Sequence, residues 1–484
     1  MAIIHLADGS RLRWRTLAAK LPNDYFFGAD HVRVASQLAE GMNPPGSVLP
    51  TLVNLLARRS PWTRQLTALR WALDSGWDIR HIAGPWPADE LECLLGRSLP
   101  SRISLGYASP DGSVVPWRLT VRLGIKALWH GTFRLRGFRG GTLPSSSAIR
   151  AMTEVSVRVF PKEAESATVL VYPAPYSRQR QRTFFTQHRP GAGGRGLAGL
   201  PFRAWDVVAA MLARPSQRAV AVACAEHQAN TRHGVELARA GVCTLYTTDE
   251  FEIGSFALHQ AFRAEGGRSV NAAHGVGLYC PIVGYNEFRV LTAGQADYYR
   301  ANNPELVLSR QEALNARVEL QPGRRYRPKV VIVHQEASYT AYAYESRAQR
   351  EMLRLVQAIA KDAGWPVAIK AHPAHGDRAV RHLAQVTGVQ VFREWSTVAH
   401  DHPIVFLLNS TVFFEVLGVA PVFVYHDGVL QPERYLGHGL PRVEPGSDWV
   451  SLSHLGTAKE WLEMARNQAA EWQAANHTSV LCHD

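Results

Sequence analysis

The sequence predicts an α/β protein: two Rossmann-like, doubly wound domains facing a cleft, preceded by an N-terminal extension. Three observations predict it. From about residue 167, apolar runs of strand length alternate with amphipathic runs of helix length, the mark of parallel sheets with crossovers. Polar side chains gather just past the strand ends, where open α/β sheets bind ligands. The segment LQPGRRYRP (320–328), with Pro, Gly and charge but no apolar period, divides the rhythm in two.

Residues 1–150 form the extension, of mixed α/β character and without an assigned chemistry. Helices are expected at 49–56 and 63–73, and GWDIRHIAGPWPADELECLLG reads as strand, turn and a helix opened by Pro87 and Asp89. Seven of the thirteen tryptophans fall here, five of them at Trp14, Trp62, Trp71, Trp77 and Trp86. Residues 151–322 form the first Rossmann-like domain. ATVLVYPAP is a strand, GAGGRGLAG (191–199) a loop and 202–212 a helix. RAVAVACAE (218–226) is expected as a strand, followed by a helix capped at Asn230 or Thr231 and stopped by Gly241. VCTLYTT (242–248) and RSVNAAHG (268–275) are strands flanking a loop and helix. Residues 323–484 form the second Rossmann-like domain. KVVIVHQ opens it, RAQREMLRLVQAIAKDAG is amphipathic at i, i+3, i+4, and VAIKAHP, GVQVFRE, IVFLLNST and PVFVYHDG are strand-like. A closing helix covers 457–475.

Composition narrows the function. A chain of 484 residues with 46% hydrophobic content has ample material for its cores. No window approaches a membrane span, and the N-terminus does not read as a secretory signal. Five scattered cysteines without a CxxC pair indicate neither a disulfide framework nor a zinc site, which fits a reducing cytoplasm. The net charge of +12 comes from 53 basic against 41 acidic residues, and only seven of the basic ones are Lys. Arginine suits phosphates, carboxylates and an anionic membrane leaflet, so peripheral association with the inner face of the membrane is an expectation. The basic clusters at 134–141, 177–182 and 323–329 belong to no nucleic-acid module, and no nucleic-acid partner is expected.

The chemistry concentrates at strand ends. Ser410 and Thr411 stand where IVFLLNST runs into VFFEVLGV, a place for anion-binding N–H groups, and Glu415 lies one turn beyond. Lys370, His372 and Pro373 close the strand VAIK, the proline holding His372 extended, with His375 nearby. Gln335 and Glu336 follow the first strand of the second domain. In the first domain His274 and Gly275 end a strand, and the glycine permits close backbone approach. Asp249, Glu250 and Glu252 follow another, while Glu226 and His227 are a further acid/imidazole pair. Together these describe a nucleotide-phosphate site facing an acid/imidazole wall.

The HG after one strand (His274, Gly275), the HP after another (His372, Pro373) and the STxxxE segment resemble GT-B glycosyltransferases of bacterial surface polysaccharide synthesis, within them the capsule and lipopolysaccharide enzymes that use CMP-activated 2-keto sugar acids, of Kdo- or polysialyl-transferase type. The resemblance covers about residues 167–475. It implies that His372, Ser410 and Thr411 take the donor phosphate, and that an acid of the first domain, Asp249, Glu250 or Glu252, is the base; the sialyl-type pattern of two acids followed by Gly is not kept. It implies a nucleotide-sugar donor as substrate, an oligosaccharide or lipid-linked acceptor, and no cofactor. With no DxD in the chain, a metal-independent transfer is expected, protein cations taking the place of Mg²⁺. A CDP-polyol phosphotransferase of teichoic-acid type, a UDP-sugar transferase or epimerase, and a basic glycan- or membrane-binding scaffold are the alternatives.

Overall fold

The computed structural model describes residues 3–22, 28–108, 114–136, 143–152, 154–173, 195–311, 318–335, 343–372, 376–445 and 455–477. Pro373, His375 and Glu336 lie outside them, as do the basic cluster 177–182 and most of 134–141.

The extension builds its own small sheet. Strands β1 (Ile3–Leu6), β2 (Arg11–Arg13), β3 (Ile79–Gly84) and β4 (Ser104–Tyr107) pair in the order β2-β1-β3-β4. The core is aromatic where the sequence is tryptophan-rich. Trp14 is buried and stacks on Trp86 at 5.6 Å, and Trp62 meets Trp86 edge-on at 5.3 Å. Helices Ala29–Glu40, Leu49–Arg59 and Pro61–Asp74 lie against this sheet and seat the extension on the following domain. Asn54 donates to the Ile282 carbonyl (2.8 Å) and accepts from the Ile282 N–H (3.0 Å).

His31 is sealed inside this region, its ring nitrogens 2.9 Å from Thr67 Oγ1 and 2.8 Å from the Ala57 carbonyl. Burial pushes its pKa down to about 3. The unfolded chain therefore takes up a proton below about pH 6.5 that the folded chain refuses, so stability is full above that pH and drains as pH falls toward 3. At pH 5 the loss from this group is about 2 kcal/mol. His31→Gln should flatten the dependence of unfolding free energy on pH between 7 and 5 by about that amount; an unchanged slope rejects the assignment.

The second sheet contains β5 (Ser147–Ala151), β6 (Thr168–Val171), β7 (Arg195–Leu197), β8 (Thr244–Thr247), β9 (Arg268–Ala272), β10 (Glu287–Val290) and β11 (Val307–Arg310) in the order β11-β10-β9-β8-β5-β6-β7. The third contains β12 (Pro328–Val333), β13 (Val367–Lys370), β14 (Gln390–Phe392), β15 (His402–Leu407), β16 (Val422–Tyr425) and β17 (Arg442–Val443) in the order β14-β13-β12-β15-β16-β17. Every pairing in both is parallel. Counted from its own first strand, the third sheet reads 3-2-1-4-5-6, the Rossmann order; the second reads the same with one strand added. The expected α/β class with two Rossmann-like sheets is the observed one.

One element differs. RAVAVACAE is not a strand: Arg218–Arg239 is a single long helix. Its Ala/Val alternation mimics period two, but alanine is the best helix former and the buried positions include Ala219, Val222, Ala223, Glu226, Ala229, Asn230, His233 and Leu237, a helical spacing. Asn230 is thus inside the helix and caps nothing. The linker 320–328 is pinned rather than loose, with Gln321 and Gly323 N–H donating to the carbonyls of Ala399 (2.9 Å) and His400 (3.1 Å). The closing helix, Ala458–His477, is fastened by Trp461 Nε1 to the Pro403 carbonyl (2.9 Å) and Trp472 Nε1 to the Leu436 carbonyl (2.7 Å).

Candidate active site

In a Rossmann sheet the crevice opens at the carboxyl ends of the two central strands, where the winding reverses. In the second sheet those strands are β5 and β8, and β8 runs directly into Thr248, Asp249 and Glu250. In the third they are β12 and β15, followed by His334–Gln335 and by Asn409, Ser410 and Thr411. The two carboxyl edges meet. A β-carbon on Gly275, after β9, would sit 3.2 Å from Thr411 Oγ1, so the two edges approach to side-chain contact there.

The acidic segment after β8 splits into three environments. Asp249 is fully buried; its carboxylate pairs with buried Arg150, accepts from Tyr285 Oη (2.8 Å) and lies 3.2 Å from His259 Nε2. Burial alone would push this carboxyl up, but His259 and Arg150 outweigh it and hold it well below the usual carboxylate range. Glu252 turns toward the extension, where Lys126 Nζ reaches it at 3.0 Å and Glu226 at 2.9 Å. Burial opposes charge on Lys126, and the two carboxylates more than offset it, keeping the ammonium charged. Glu226 therefore sits mid-helix as a structural partner of Lys126 and not past a strand end, and His227 meets Thr51 Oγ1 at 3.3 Å. Both positions follow from the helix that replaces the expected strand.

Glu250 differs. Also buried, it accepts from His274 Nδ1 at 2.6 Å and from the His274 backbone N–H at 3.1 Å. Asn271 Nδ2 donates to its other oxygen at 3.2 Å. The imidazole it holds is about a quarter exposed, at 27%. Tyr279 stacks on that ring at 5.1 Å with its hydroxyl 3.4 Å from Nε2, and Phe251 meets it edge-on at 5.0 Å. Gln295 Nε2 pins the following loop through the carbonyls of Gly275 (2.8 Å) and Gly277 (3.2 Å). A buried carboxylate on Nδ1 fixes the tautomer and aims Nε2 outward, the arrangement of an oriented general base.

On the opposite edge, Ser410 Oγ accepts from the Val412 N–H at 3.3 Å, while Thr411 makes no side-chain cap and faces Gly275. The helix after them, Val412–Val416, is a short turn, broken at Leu417 and Gly418, so it is not the extended helix that VFFEVLGV suggests. Glu415 Oε2 accepts from Trp395 Nε1 at 3.1 Å. Lys370 lies over the Trp395 ring at 5.5 Å and donates to the Arg393 carbonyl at 3.2 Å. Burial lowers its pKa, with Glu415 and Glu394 opposing. Lys370 and Glu415 thus meet around Trp395, beneath the strand ends. His372, partly buried, and Gln335 stand two and one residues past the backbone bond in which the His334 N–H donates to the Lys370 carbonyl (2.9 Å).

Sequence reasoning missed Asn271, Tyr279, Gln295 and Trp395. Asn271 was the readable one: a carboxamide in the apolar strand RSVNAA needs partners, and it finds Thr247 Oγ1 (2.9 Å), the Asp249 N–H (3.0 Å) and Glu250.

No family model matches the chain, and no curated protein matches it. Among solved structures it is similar to a mutant of the Thermobaculum terrenum O-GlcNAc transferase, with a TM-score of 0.34 and 12% identity over 95% of this chain and 81% of that chain. Similarity at this level carries no assignment of activity.

Proposed function

We propose that the chain is a glycosyltransferase that moves a sugar from a nucleotide-activated donor to a glycan hydroxyl, with His274 as general base. The observation that carries this reading is the buried Glu250 on His274 Nδ1, placed where the carboxyl edges of two Rossmann sheets touch. His274 Nε2 takes the acceptor proton as the acceptor oxygen bonds to the anomeric carbon. The bond from that carbon to the donor phosphate breaks, and the nucleotide leaves with the electron pair. His372, the backbone around Ser410 and Thr411, and Gln335 are assigned to receive the phosphate. Lys370 and Glu415 support that edge through Trp395.

The donor is proposed to be a CMP-activated 2-keto-3-deoxy sugar acid, supported by the likeness of His274–Gly275, His372–Pro373 and Ser410–Glu415 to the surface-glycan enzymes. CMP should raise the thermal unfolding temperature more than CDP, UDP or GDP, and His372→Ala should remove that increment without lowering the unliganded value. Stabilisation by CDP instead supports a polyol-phosphate transfer, and no response to any nucleotide supports a scaffold.

The leaving phosphate is assigned to protein donors, so transfer should persist in EDTA. Complete loss, restored by Mg²⁺ or Mn²⁺, rejects the metal-independent form of the proposal.

A further inference from the structure

Helices Arg118–Arg136 and Ala204–Leu212 lie side by side, close enough that a β-carbon on Gly124 would sit 3.6 Å from Met211 Sδ. Their outer faces are apolar and open. Leu212 is 79% exposed, Trp205 76%, Leu128 73% and Trp117 67%, with Ile125 and Met211 at 50% beside them. Ala204–Leu212 has one polar side chain, Asp206, and it turns inward to Arg232 at 2.9 Å. A helix apolar on every side is ordinarily buried, and a contiguous exposed patch of this kind marks a contact surface. Among the described residues nothing covers it. Exposed Arg118 and Arg122 lie on the first helix and exposed Arg203 and Arg214 just beyond the two ends of the second, and the described residues of both helices contribute no unpaired acid.

We infer that this face docks the protein on the surface of a bilayer that contains anionic lipid. Apolar side chains enter the headgroup–acyl boundary, Trp117 and Trp205 suit the interface, and the arginine rim faces the anionic headgroups. No helix among the described residues is long and apolar enough to cross a membrane, and the contact inferred is with the bilayer surface. A second copy is the poorer occupant, because a two-fold contact sets arginine rim against arginine rim. On its inner side Arg118–Arg136 carries Lys126, which holds Glu252 two residues from Glu250. The bilayer face and the acid wall of the candidate site are therefore two sides of one helix.

The full chain should float with phosphatidylcholine vesicles containing phosphatidylglycerol, more as the anionic fraction rises and less as salt rises. Trp205→Glu with Leu212→Glu should weaken this binding by about tenfold or more. Arg122→Ala and Arg214→Ala should each cost about fivefold on anionic vesicles. Thermal unfolding should match the parent; should the first pair lower it, Leu128→Glu on the other helix gives the same reading. Absence of binding to anionic vesicles, or undiminished binding by both glutamate variants, overturns the inference. So does a concentration-dependent dimer that these variants dissociate and that does not bind vesicles. The measurement uses neither donor nor acceptor, so its failure and the failure of the transferase reading are separate results.

Discussion

Replacing His274 with Ala should lower transfer by about a thousandfold, near 4 kcal/mol of transition-state stabilisation, while leaving nucleotide stabilisation intact. The effect is large because His274 is the only side chain of the first-domain wall that combines exposure with an orienting partner among the described candidates. Asp249 is sealed off and Glu252 is neutralised by Lys126. Glu250→Gln tests the orientation separately. A glutamine oxygen can still accept from Nδ1, so the ring stays in place, but the negative charge that steadies the developing imidazolium is gone; a loss of about a hundredfold is expected. Tyr279→Phe, which removes only the hydroxyl 3.4 Å from Nε2, should have the smallest effect of the three. Single-turnover transfer with saturating donor, beside thermal shift with CMP, separates chemistry from binding. Near-normal turnover in the His274 variant removes it as the base.

The strands were legible where the residues themselves resist other conformations. VVIV in β12 and IVFL in β15 are largely β-branched and aromatic runs buried on both faces, as parallel strands are. Arg218–Arg239 was not legible as a helix at its start, because alternating Ala and Val satisfy both periods until burial chooses one. The extension's tryptophans were visible without their purpose; packing against each other from Trp14 to Trp86 is a long-range fact. The site divides the same way. His274 with its glycines announces itself locally. The choice among Asp249, Glu250 and Glu252 does not, since it depends on Arg150 on β5 and Lys126 in the extension. The dyad itself depends on register. Strands β8 and β9 pair Thr247 with Asn271, and the same offset carried three residues further brings Glu250 to His274. Nothing within either strand states that offset.

Asp249→Ala should cost about 3–5 kcal/mol of stability, and its loss of activity should be a loss of folded protein. The physical reason is what remains behind. Arg150 is buried in the floor of the first parallel sheet, its guanidinium 4.9 Å from the Tyr172 ring, and Asp249 is its ion-pair partner. Removing the carboxylate strands that charge in a dry setting and also leaves Tyr285 Oη and His259 Nε2 without their acceptor. The thermal midpoint without any ligand should fall by on the order of 10 °C, a change that loss of a base alone does not produce. The pair can be separated from the site by a cycle. In an Arg150→Met background the further change Asp249→Asn should cost much less than it does alone, because no buried cation remains to be compensated. Equal costs in the two backgrounds would show that the ion pair is not what holds this part of the floor. An Asp249→Ala protein as stable as the parent, yet inactive with CMP still bound, would return the base to Asp249 and displace His274 from that role.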